Sequence, residues 1–214
     1  MGHFYNEELR ALNVVEVDLD PTVLAKFTAL LQTPLDPHDF CTASPPWSSD
    51  IRWLSANSLR CFRFFQAGFD QLGLAQVVEP WLDLNERVMM YSGFLVMRSS
   101  CQQADLHVDW NNTNNQAFTC ITPLTDHAPD FGLLYQRRDG SLATYTYRPG
   151  KALVFGERFL HSTRPGQSQE PVVLLSFTFG TDKMDHWPAI AETAAAQGNL
   201  VRLPNGTFQV HDMD

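Results

Sequence analysis

The sequence lacks the features that define several large classes of protein. Its apolar runs fall well short of the roughly 20 residues that a membrane-spanning helix needs, which excludes an integral helical membrane protein. It has no internal repeat or low-complexity tract, and 44% of its 214 residues are hydrophobic against 18% charged, so disorder is excluded. The first ten residues contain no apolar segment of the secretory kind, so we expect a cytoplasmic protein.

Cysteine and basic residues are also scarce. The four cysteines, Cys41, Cys61, Cys101 and Cys120, form no Cys-x-x-Cys pair. Neither a zinc knuckle nor a redox dithiol is indicated, and free thiols are expected. Lysine and arginine total 15 against 24 acidic residues, a net charge of −9, and an acidic surface repels phosphate backbones. Nucleic acid is therefore a poor partner, and a small molecule is the better expectation.

The first 86 residues are predicted to be mainly helical. Thr22–Gln32 follows an aspartate–proline pair of the type that caps and starts a helix, and it predicts an amphipathic helix. The segment Leu35–Ser49, rich in Pro, Asp and Ser, predicts a loop. Leu59–Leu82 has apolar residues at helical spacing, with breaks expected at Gly68 and Gly73, and should form helices that lie on a sheet.

From residue 87 the sequence changes to short β-branched and aromatic runs separated by turn residues. The predicted strands are Arg87–Arg98, Phe118–Leu124, Phe131–Gln136, Ala143–Tyr147, Ala152–Phe155 and Val172–Phe179. Such a series favours an antiparallel sandwich or barrel. Pro188–Gln197 then predicts a helix, and Leu200–Val210, turning at Asn205–Gly206, a hairpin.

The predicted fold class is therefore α+β, with one domain over residues 1–214. Within it, 1–86 forms a helical N-terminal support, 87–180 a β core, and 181–214 a C-terminal helix and hairpin. No linker divides these parts.

One triplet, His107-Val108-Asp109, has the residue types of a metal site. With seven histidines and 16 aspartates in 214 residues, the number of His-x-Asp triplets expected by chance is about one half, so the triplet alone is weak. In an extended segment residues i and i+2 point to one side, so both side chains can reach one ion. His161, beyond several predicted strands, is the candidate third ligand. Two imidazoles and a carboxylate leave three positions open on an octahedral ion, the arrangement of non-haem Fe(II) oxygenases.

Other interpretations of these residues stay open. His107 and Asp109 can be a hydrogen-bonded surface pair, and His161 a histidine satisfied at the end of a strand. His127 is the main rival ligand, although its proline and acidic neighbours indicate an exposed loop. The asparagine-rich stretch 111–115 is as consistent with a turn-rich loop as with part of a binding pocket.

Four segments together resemble the Fe(II)/2-oxoglutarate-dependent dioxygenases, above all their prolyl-hydroxylase and phytanoyl-hydroxylase branches. They are Arg98–Trp110, the asparagine-rich stretch after it, the strand Thr119–Asp126, and Arg148–His161. The resemblance covers about 87–180, and the stretch PGKALVFGERFLHST, residues 149–163, is similar to the family's approach to its distal histidine. It implies a double-stranded β-helix, a cupin-like jelly-roll with the N-terminal helices packed on the sheet. It also implies that His107, Asp109 and His161 hold Fe(II). The implied reaction uses 2-oxoglutarate and O2 to hydroxylate, or otherwise oxidise, a C–H bond of a small molecule or a side chain, with release of succinate and CO2.

The sequence departs from the family where the distal carboxylate of 2-oxoglutarate should bind. Those branches usually place Arg or Lys about ten residues after the distal histidine, and Pro171 stands there instead. A dianion in an apolar pocket needs a cation, for which Arg164 and Arg98 are the candidates. Arg164 is preferred because the strand after the distal histidine normally borders the co-substrate. Hydroxyl groups that can assist belong to Tyr91, Ser162 and Thr163.

The residues directly after the triplet are candidate substrate contacts. They are Trp110, whose ring can stack on a substrate, and Asn111 and Asn112. Two other functions stay open: a cupin-like iron enzyme that does not use 2-oxoglutarate, which the missing base supports, and a non-catalytic jelly-roll binding module. Succinate formation excludes the first, and loss of Fe(II) binding on His107→Ala excludes the second.

Overall fold

The computed structural model of the protein describes residues 3–4, 7–10, 12–44, 50–79, 87–125 and 131–211. Its helices are α1 (Glu7–Arg10), α2 (Pro21–Leu30), α3 (Leu59–Leu72), α4 (Leu74–Val78) and α5 (Trp187–Gln197). The strands of the first half are β1 (His3–Phe4), β2 (Val14–Asp18), β3 (Phe40–Ala43), β4 (Ile51–Ala56), β5 (Val88–Cys101) and β6 (Ala117–Pro123). Those of the second half are β7 (Leu133–Gln136), β8 (Leu142–Tyr145), β9 (Lys151–Phe155), β10 (His161–Thr163), β11 (Gly166–Thr181), β12 (Leu200–Arg202) and β13 (Phe208–Val210).

Two antiparallel sheets form the centre of the molecule. The large sheet has the order β1-β2-β9-β6-β11-β5-β4-β3, the small sheet has the order β10-β7-β8, and β12 pairs with β13 in the C-terminal hairpin. The long strand β11 lies between β5 and β6, so strands that are distant in sequence are neighbours. The predicted α+β class, the antiparallel strand series and the hairpin are confirmed.

The two faces of β11 bury different cores, because successive strand residues point to opposite sides. Val173, Leu175 and Phe177 belong to a core shared with α2, α3 and α4, as predicted for helices that lie on a sheet. Val172 and Leu174 point the other way, into a second core between the large and small sheets. The metal-ligand candidates lie in this space between the sheets.

Local sequence explains where α2 and α3 begin and end. Asp20 caps α2 by accepting a hydrogen bond from the Thr22 amide, with Pro21 in the first turn. The helix α3 ends at Gly73, whose φ of 65° is left-handed. The break predicted at Gly68 is wrong: this glycine lies inside α3, where a Cβ would approach Phe27 Cζ to 2.3 Å. Close helix packing, and not helix termination, explains the glycine.

The N-terminal part is less helical than predicted. It also contributes β1, β2, β3 and β4 to the large sheet, and β3 lies inside the segment predicted as a loop. These strands are short, and β2 and β4 pair with β9 and β5, which come much later in the chain. Local periodicity is a weak signal for such strands because their partners are far away in sequence. Of the described helices, none has both the length and the apolar character needed to cross a membrane.

Thiol labelling of the native protein is expected to show one accessible cysteine. All four cysteines are free as predicted; Cys41 is partly exposed, whereas Cys61, Cys101 and Cys120 are buried. Burial raises the pKa of the Cys61 thiol to about 12 and also raises those of Cys101 and Cys120. Because the thiolate is the reactive form, a disulfide reagent at pH 8 should label Cys41 and reach the others only after unfolding. Rapid labelling that survives in Cys41→Ser would contradict this expectation.

Candidate metal centre

Three side chains converge between the two sheets. One ligand atom from each of His107, Asp109 and His161 can be chosen so that all three lie within 4.8 Å of one another. Oδ1 of Asp109 is 3.7 Å from Nε2 of His107 and 3.8 Å from Nε2 of His161. One carboxylate oxygen therefore faces both imidazoles, and a single cation can lie among the three atoms.

Backbone hydrogen bonds hold the two histidines side by side. His107 and His161 each donate an amide hydrogen to the carbonyl of the other, with both N–O distances 2.9 Å. His161 begins β10, but β5 ends at Cys101, and His107 is extended only through this single bridge. The extended segment expected at His107 and Asp109 is therefore limited to this bridge, although their ligand atoms do face one point.

Hydrogen bonds also orient the imidazole rings. Nδ1 of His107 is 2.7 Å from the carbonyl of Asp105, and Nδ1 of His161 is 3.0 Å from that of Phe159. A carbonyl oxygen only accepts, so each Nδ1 carries the hydrogen and each neutral ring keeps its lone pair on Nε2. Both Nε2 atoms thus have the form that binds a metal ion.

The surroundings of His161 favour its neutral form. The ring is buried, stacks on Phe159 at 13° with centroids 5.2 Å apart, and meets Phe155 edge-on. Burial lowers the pKa of His161, with the Asp109 carboxylate acting in the opposite direction. Metal ions bind the deprotonated imidazole, so this environment suits a ligand at neutral pH.

The donor set fits a first-row divalent ion. Two imidazole nitrogens and one carboxylate oxygen, with no thiolate, are typical of non-haem iron sites that keep positions open for other ligands. The side chains of Asp109 and His161 are 7% and 8% exposed, whereas that of His107 is 44% exposed. The His107 side of the site therefore opens toward solvent.

Two cavities meet at these three residues. An inner cavity of about 110 Å³ lies between the sheets, and its walls include Thr119, Ile121, Tyr147, Thr163, Leu174 and Ser176. An outer cavity of about 380 Å³ is walled by Trp53, Asn111 and, on α5, Ala189, Glu192, Thr193, Ala196 and Gln197. His107 and Asp109 line both cavities, and His161 lines the inner one. An ion held here would be accessible from both sides.

Two aromatic residues predicted to contact ligands are core residues instead. Tyr91 and Trp110 are fully buried, and neither is among the residues that line the two cavities. The hydroxyl of Tyr91 donates to the carbonyl of Thr181, and the indole N–H of Trp110 donates to Thr119 Oγ1. Trp110 directly follows the triplet in sequence and therefore lies beside the site, but its side chain is buried in the core.

The asparagine-rich stretch is mainly a turn-forming loop. Asn112, Asn114 and Asn115 all have positive φ angles between 53° and 58°. Asn tolerates this conformation better than most residues. The buried carboxylate of Glu157 accepts the Asn115 amide at 3.0 Å and holds the loop. Asn111 lines the outer cavity, whereas Asn112 is exposed and lines neither cavity.

The two candidate arginines occupy different environments. Arg164 follows β10, is exposed, and is not among the residues that line the two cavities, whereas His161 and Thr163 line the inner one. Arg98 has a side chain only 9% exposed, paired with Asp50 at 2.7 Å. His127, the rival ligand, lies outside the described residues.

Sequence reasoning missed the role of α5. The helix was predicted, but its position as a wall of the outer cavity was not. The Thr193 hydroxyl donates to the backbone carbonyl of Asp109 at 2.6 Å, which ties the helix to the ligand segment. Trp53, on the unpredicted strand β4, completes the opposite wall. No local motif marks these residues, because the contact depends on the tertiary fold.

No protein-family model matches the chain, and no curated protein matches its sequence. Solved structures do match it. HygX from Streptomyces hygroscopicus, solved with nickel and 2-oxoglutarate bound, has a TM-score of 0.61 at 16% identity, over 83% of this chain and 87% of that chain. SnoN, an alpha ketoglutarate-dependent non-heme epimerase of nogalamycin biosynthesis, has a TM-score of 0.60 at 12% identity, over 81% and 80% of the chains. A 2OG-Fe(II) oxygenase-family oxidoreductase from Burkholderia pseudomallei has a TM-score of 0.52 at 13% identity, over 81% and 87%.

The chain has the double-stranded β-helix fold. This confirms the predicted jelly-roll core, and the similarity to HygX covers 83% of this chain, more than residues 87–180 alone. In the double-stranded β-helix of this chain, the convergent His, Asp and His side chains lie between the two sheets. At identities this low, the similarity establishes the fold alone, and the candidate metal site is defined by the geometry of His107, Asp109 and His161.

Proposed function

We propose that the chain is an Fe(II)- and 2-oxoglutarate-dependent oxygenase that hydroxylates, or otherwise oxidises, a C–H bond of a small molecule. The observation that carries this proposal is the convergence of His107, Asp109 and His161 where two cavities meet inside a double-stranded β-helix. Ferrous iron with 2-oxoglutarate and O2 would supply the oxidising chemistry, with release of succinate and CO2. HygX and SnoN have both been solved with a metal and this keto acid bound, which supports the choice of co-substrate.

The three proposed ligands have distinct tasks. His107 and His161 offer neutral Nε2 atoms, and Asp109 offers Oδ1 and the one negative charge of the set. The backbone bridge between the histidines holds two of the ligands in place before a metal arrives. Three positions remain for the keto acid and O2.

Arg98 is the base that best fits the distal carboxylate of the keto acid. Phe94 and Val96 line the inner cavity, and Arg98 follows them on the same face of β5. On β11, Arg98 is paired with Val172. This residue comes directly after the position where the family that the sequence resembles usually has its Arg or Lys. On β4, Arg98 is paired with Ile51, which lines the inner cavity.

The charge of Arg98 acts at the end of the inner cavity. Burial raises the pKa of Tyr147, a cavity residue, and the nearby Arg98 guanidinium opposes that change. Asp50 and the carbonyl of Ser100 accept hydrogen bonds from this guanidinium at 2.7 and 2.9 Å. We therefore assign the distal carboxylate to Arg98 in place of the expected Arg164, with the hydroxyls of Thr163 and Tyr147 as further donors.

The substrate would occupy the outer cavity. Among its described lining residues the acidic groups are Asp109 and Glu192, and the one titratable nitrogen base is His107. With a divalent ion and a dianionic keto acid in place, the site carries net negative charge, so a neutral or cationic molecule is favoured. Trp53 offers a flat apolar surface, and Asn111 and Gln197 offer amide groups.

An anaerobic titration tests the proposed function. The apo-protein is titrated with Fe(II) and then 2-oxoglutarate, and the weak visible charge-transfer band of a chelated keto acid is followed. A band that disappears in His161→Ala supports the proposal. Iron binding without a band would favour the cupin-like enzyme that does not use 2-oxoglutarate, and absence of iron binding would leave a jelly-roll binding module.

Arg98→Met is expected to weaken 2-oxoglutarate binding by about 10- to 100-fold, because a charge-assisted hydrogen bond contributes about 1.5–3 kcal/mol. Arg164→Met should bind the keto acid like the wild type, since Arg164 is exposed and lines neither cavity. The dissociation constant is read from the charge-transfer band.

Asp50→Asn is the matched control for Arg98→Met. Both substitutions break the same ion pair, but only Arg98→Met removes the cation. We expect Asp50→Asn to keep or strengthen keto-acid binding. Equal weakening in both variants would show that the ion pair acts structurally and would contradict the assignment of Arg98.

A further inference from the structure

A chain of two hydrogen bonds runs from the core to the carboxylate of Asp109. The Thr119 hydroxyl lies 2.8 Å from Oδ2 of Asp109, and the indole nitrogen of Trp110 lies 2.9 Å from the same hydroxyl oxygen. Thr119 is 4% exposed and Trp110 is fully buried. Water therefore offers little competition for these bonds.

Chemistry fixes the direction of both bonds. An indole N–H only donates, so the Thr119 oxygen must accept from Trp110. The single hydroxyl hydrogen of Thr119 is then free to be donated to Oδ2 of Asp109. Because Trp110 follows Asp109 directly in sequence, the ligand and the start of this chain belong to the same backbone segment.

The two carboxylate oxygens of Asp109 therefore have different roles. Oδ2 accepts from Thr119, while Oδ1 faces the Nε2 atoms of both histidines at 3.7 and 3.8 Å. We infer that Trp110 and Thr119 are positioning residues that hold Asp109 as a one-oxygen ligand and keep its second oxygen off the metal. A two-oxygen carboxylate would occupy one of the positions that the keto acid and O2 need. This inference rests on the proposed function.

Thr119→Val tests the inference, because valine keeps the shape of threonine and removes the hydroxyl. Outer hydrogen-bond partners of metal ligands typically contribute 10- to 100-fold to metal affinity, so we expect a loss of about that size in Co(II) and Fe(II) binding. The visible spectrum of bound Co(II) should also change, since it reports the number and geometry of the ligands. Thr119→Ser keeps the hydroxyl and should restore affinity to within about three-fold of the wild type.

Thr122→Val is the matched control. Thr122 lies on the same strand, is fully buried, and donates to the carbonyl of Lys151 at 2.8 Å without touching the ligands. Thermal unfolding should show similar stability losses in Thr119→Val and Thr122→Val, with a loss of metal affinity only in the first. If Thr119→Val does not fold, Trp110→Phe is used in its place. This substitution removes the indole N–H and leaves the Thr119 hydroxyl free to rotate, and the Co(II) spectrum is again the measurement.

The outcomes separate the inference from the proposed function. A wild-type protein that binds neither Co(II) nor Fe(II) contradicts the proposed function itself. A wild type that binds metal, with unchanged affinity and Co(II) spectrum in Thr119→Val or its substitute Trp110→Phe, overturns the positioning role alone. Weaker binding with an altered spectrum, restored by Thr119→Ser, supports it.

Discussion

Asp109→Ala is expected to bind Fe(II) more than about 100-fold more weakly than the wild type, beyond the 10- to 100-fold effect typical of outer hydrogen-bond partners. The reason is that Oδ1 of Asp109 faces both imidazoles and carries the only negative charge among the three ligands. Its removal leaves the divalent ion with two neutral nitrogen ligands and no anionic one. Anaerobic calorimetric titration of the apo-protein measures the change, and oxidation of any substrate should be lost with it.

Asp105→Ala provides the comparison. Asp105 is an exposed carboxylate two residues before His107, and only its backbone carbonyl orients the imidazole. The alanine variant keeps that carbonyl, so metal affinity should stay within about two-fold of the wild type. An Asp109→Ala protein with wild-type affinity would refute the assignment of the ligands.

Phe177→Ala is expected to lower the free energy of unfolding by about 3–5 kcal/mol, the usual range for truncating a buried aromatic ring. Phe177 is fully buried on β11, and its ring contacts those of Phe27, Phe65 and Phe69 at centroid distances of 6.0, 6.3 and 5.9 Å. Such a loss is a large share of the roughly 5–15 kcal/mol that stabilises an ordinary domain. Urea denaturation of the apo-protein measures it.

Phe208→Ala gives the scale for an aromatic residue at the surface. Phe208 is 40% exposed and meets Phe62 edge-on at 4.8 Å. Its loss should cost about 1 kcal/mol, as for a single aromatic pair. Equal costs for the two variants would mean that α3 does not pack on β11 as the structure shows.

Much of the fold is predictable from the sequence because its signals are local. The cap at Asp20, the left-handed glycine at Gly73 and the turn at Asn205–Gly206 each follow from the chemistry of a few neighbouring residues. The core strands from β5 onward are marked by β-branched and aromatic runs. Strands β2, β3 and β4 were missed because pairing with distant strands, and not local composition, makes them strands.

The candidate site, like the fold, is predictable from the sequence only where its signals are local. His107, Asp109 and His161 are identifiable from residue type and spacing, and the structure brings their ligand atoms together. Their assignment to iron stays a prediction. Arg164, Tyr91 and Trp110 line neither cavity, because proximity in sequence does not say which face of a strand or loop a side chain occupies. Thr119 and the wall formed by α5 became visible only in three dimensions.

The pairing of β5 with β11 has a consequence for the order of events during synthesis. Val88–Cys101 pairs with β4 on one side, but its other edge has no partner until Gly166–Thr181 has been made, and β11 is also the partner of β6. Contacts between residues so far apart in sequence form slowly, because closing the long intervening segment costs conformational entropy before the contacts can stabilise it. On a ribosome, His107 emerges long before the strand that completes the large sheet. An ion that needs both sheets assembled around its ligands would therefore bind only after β11 has been made.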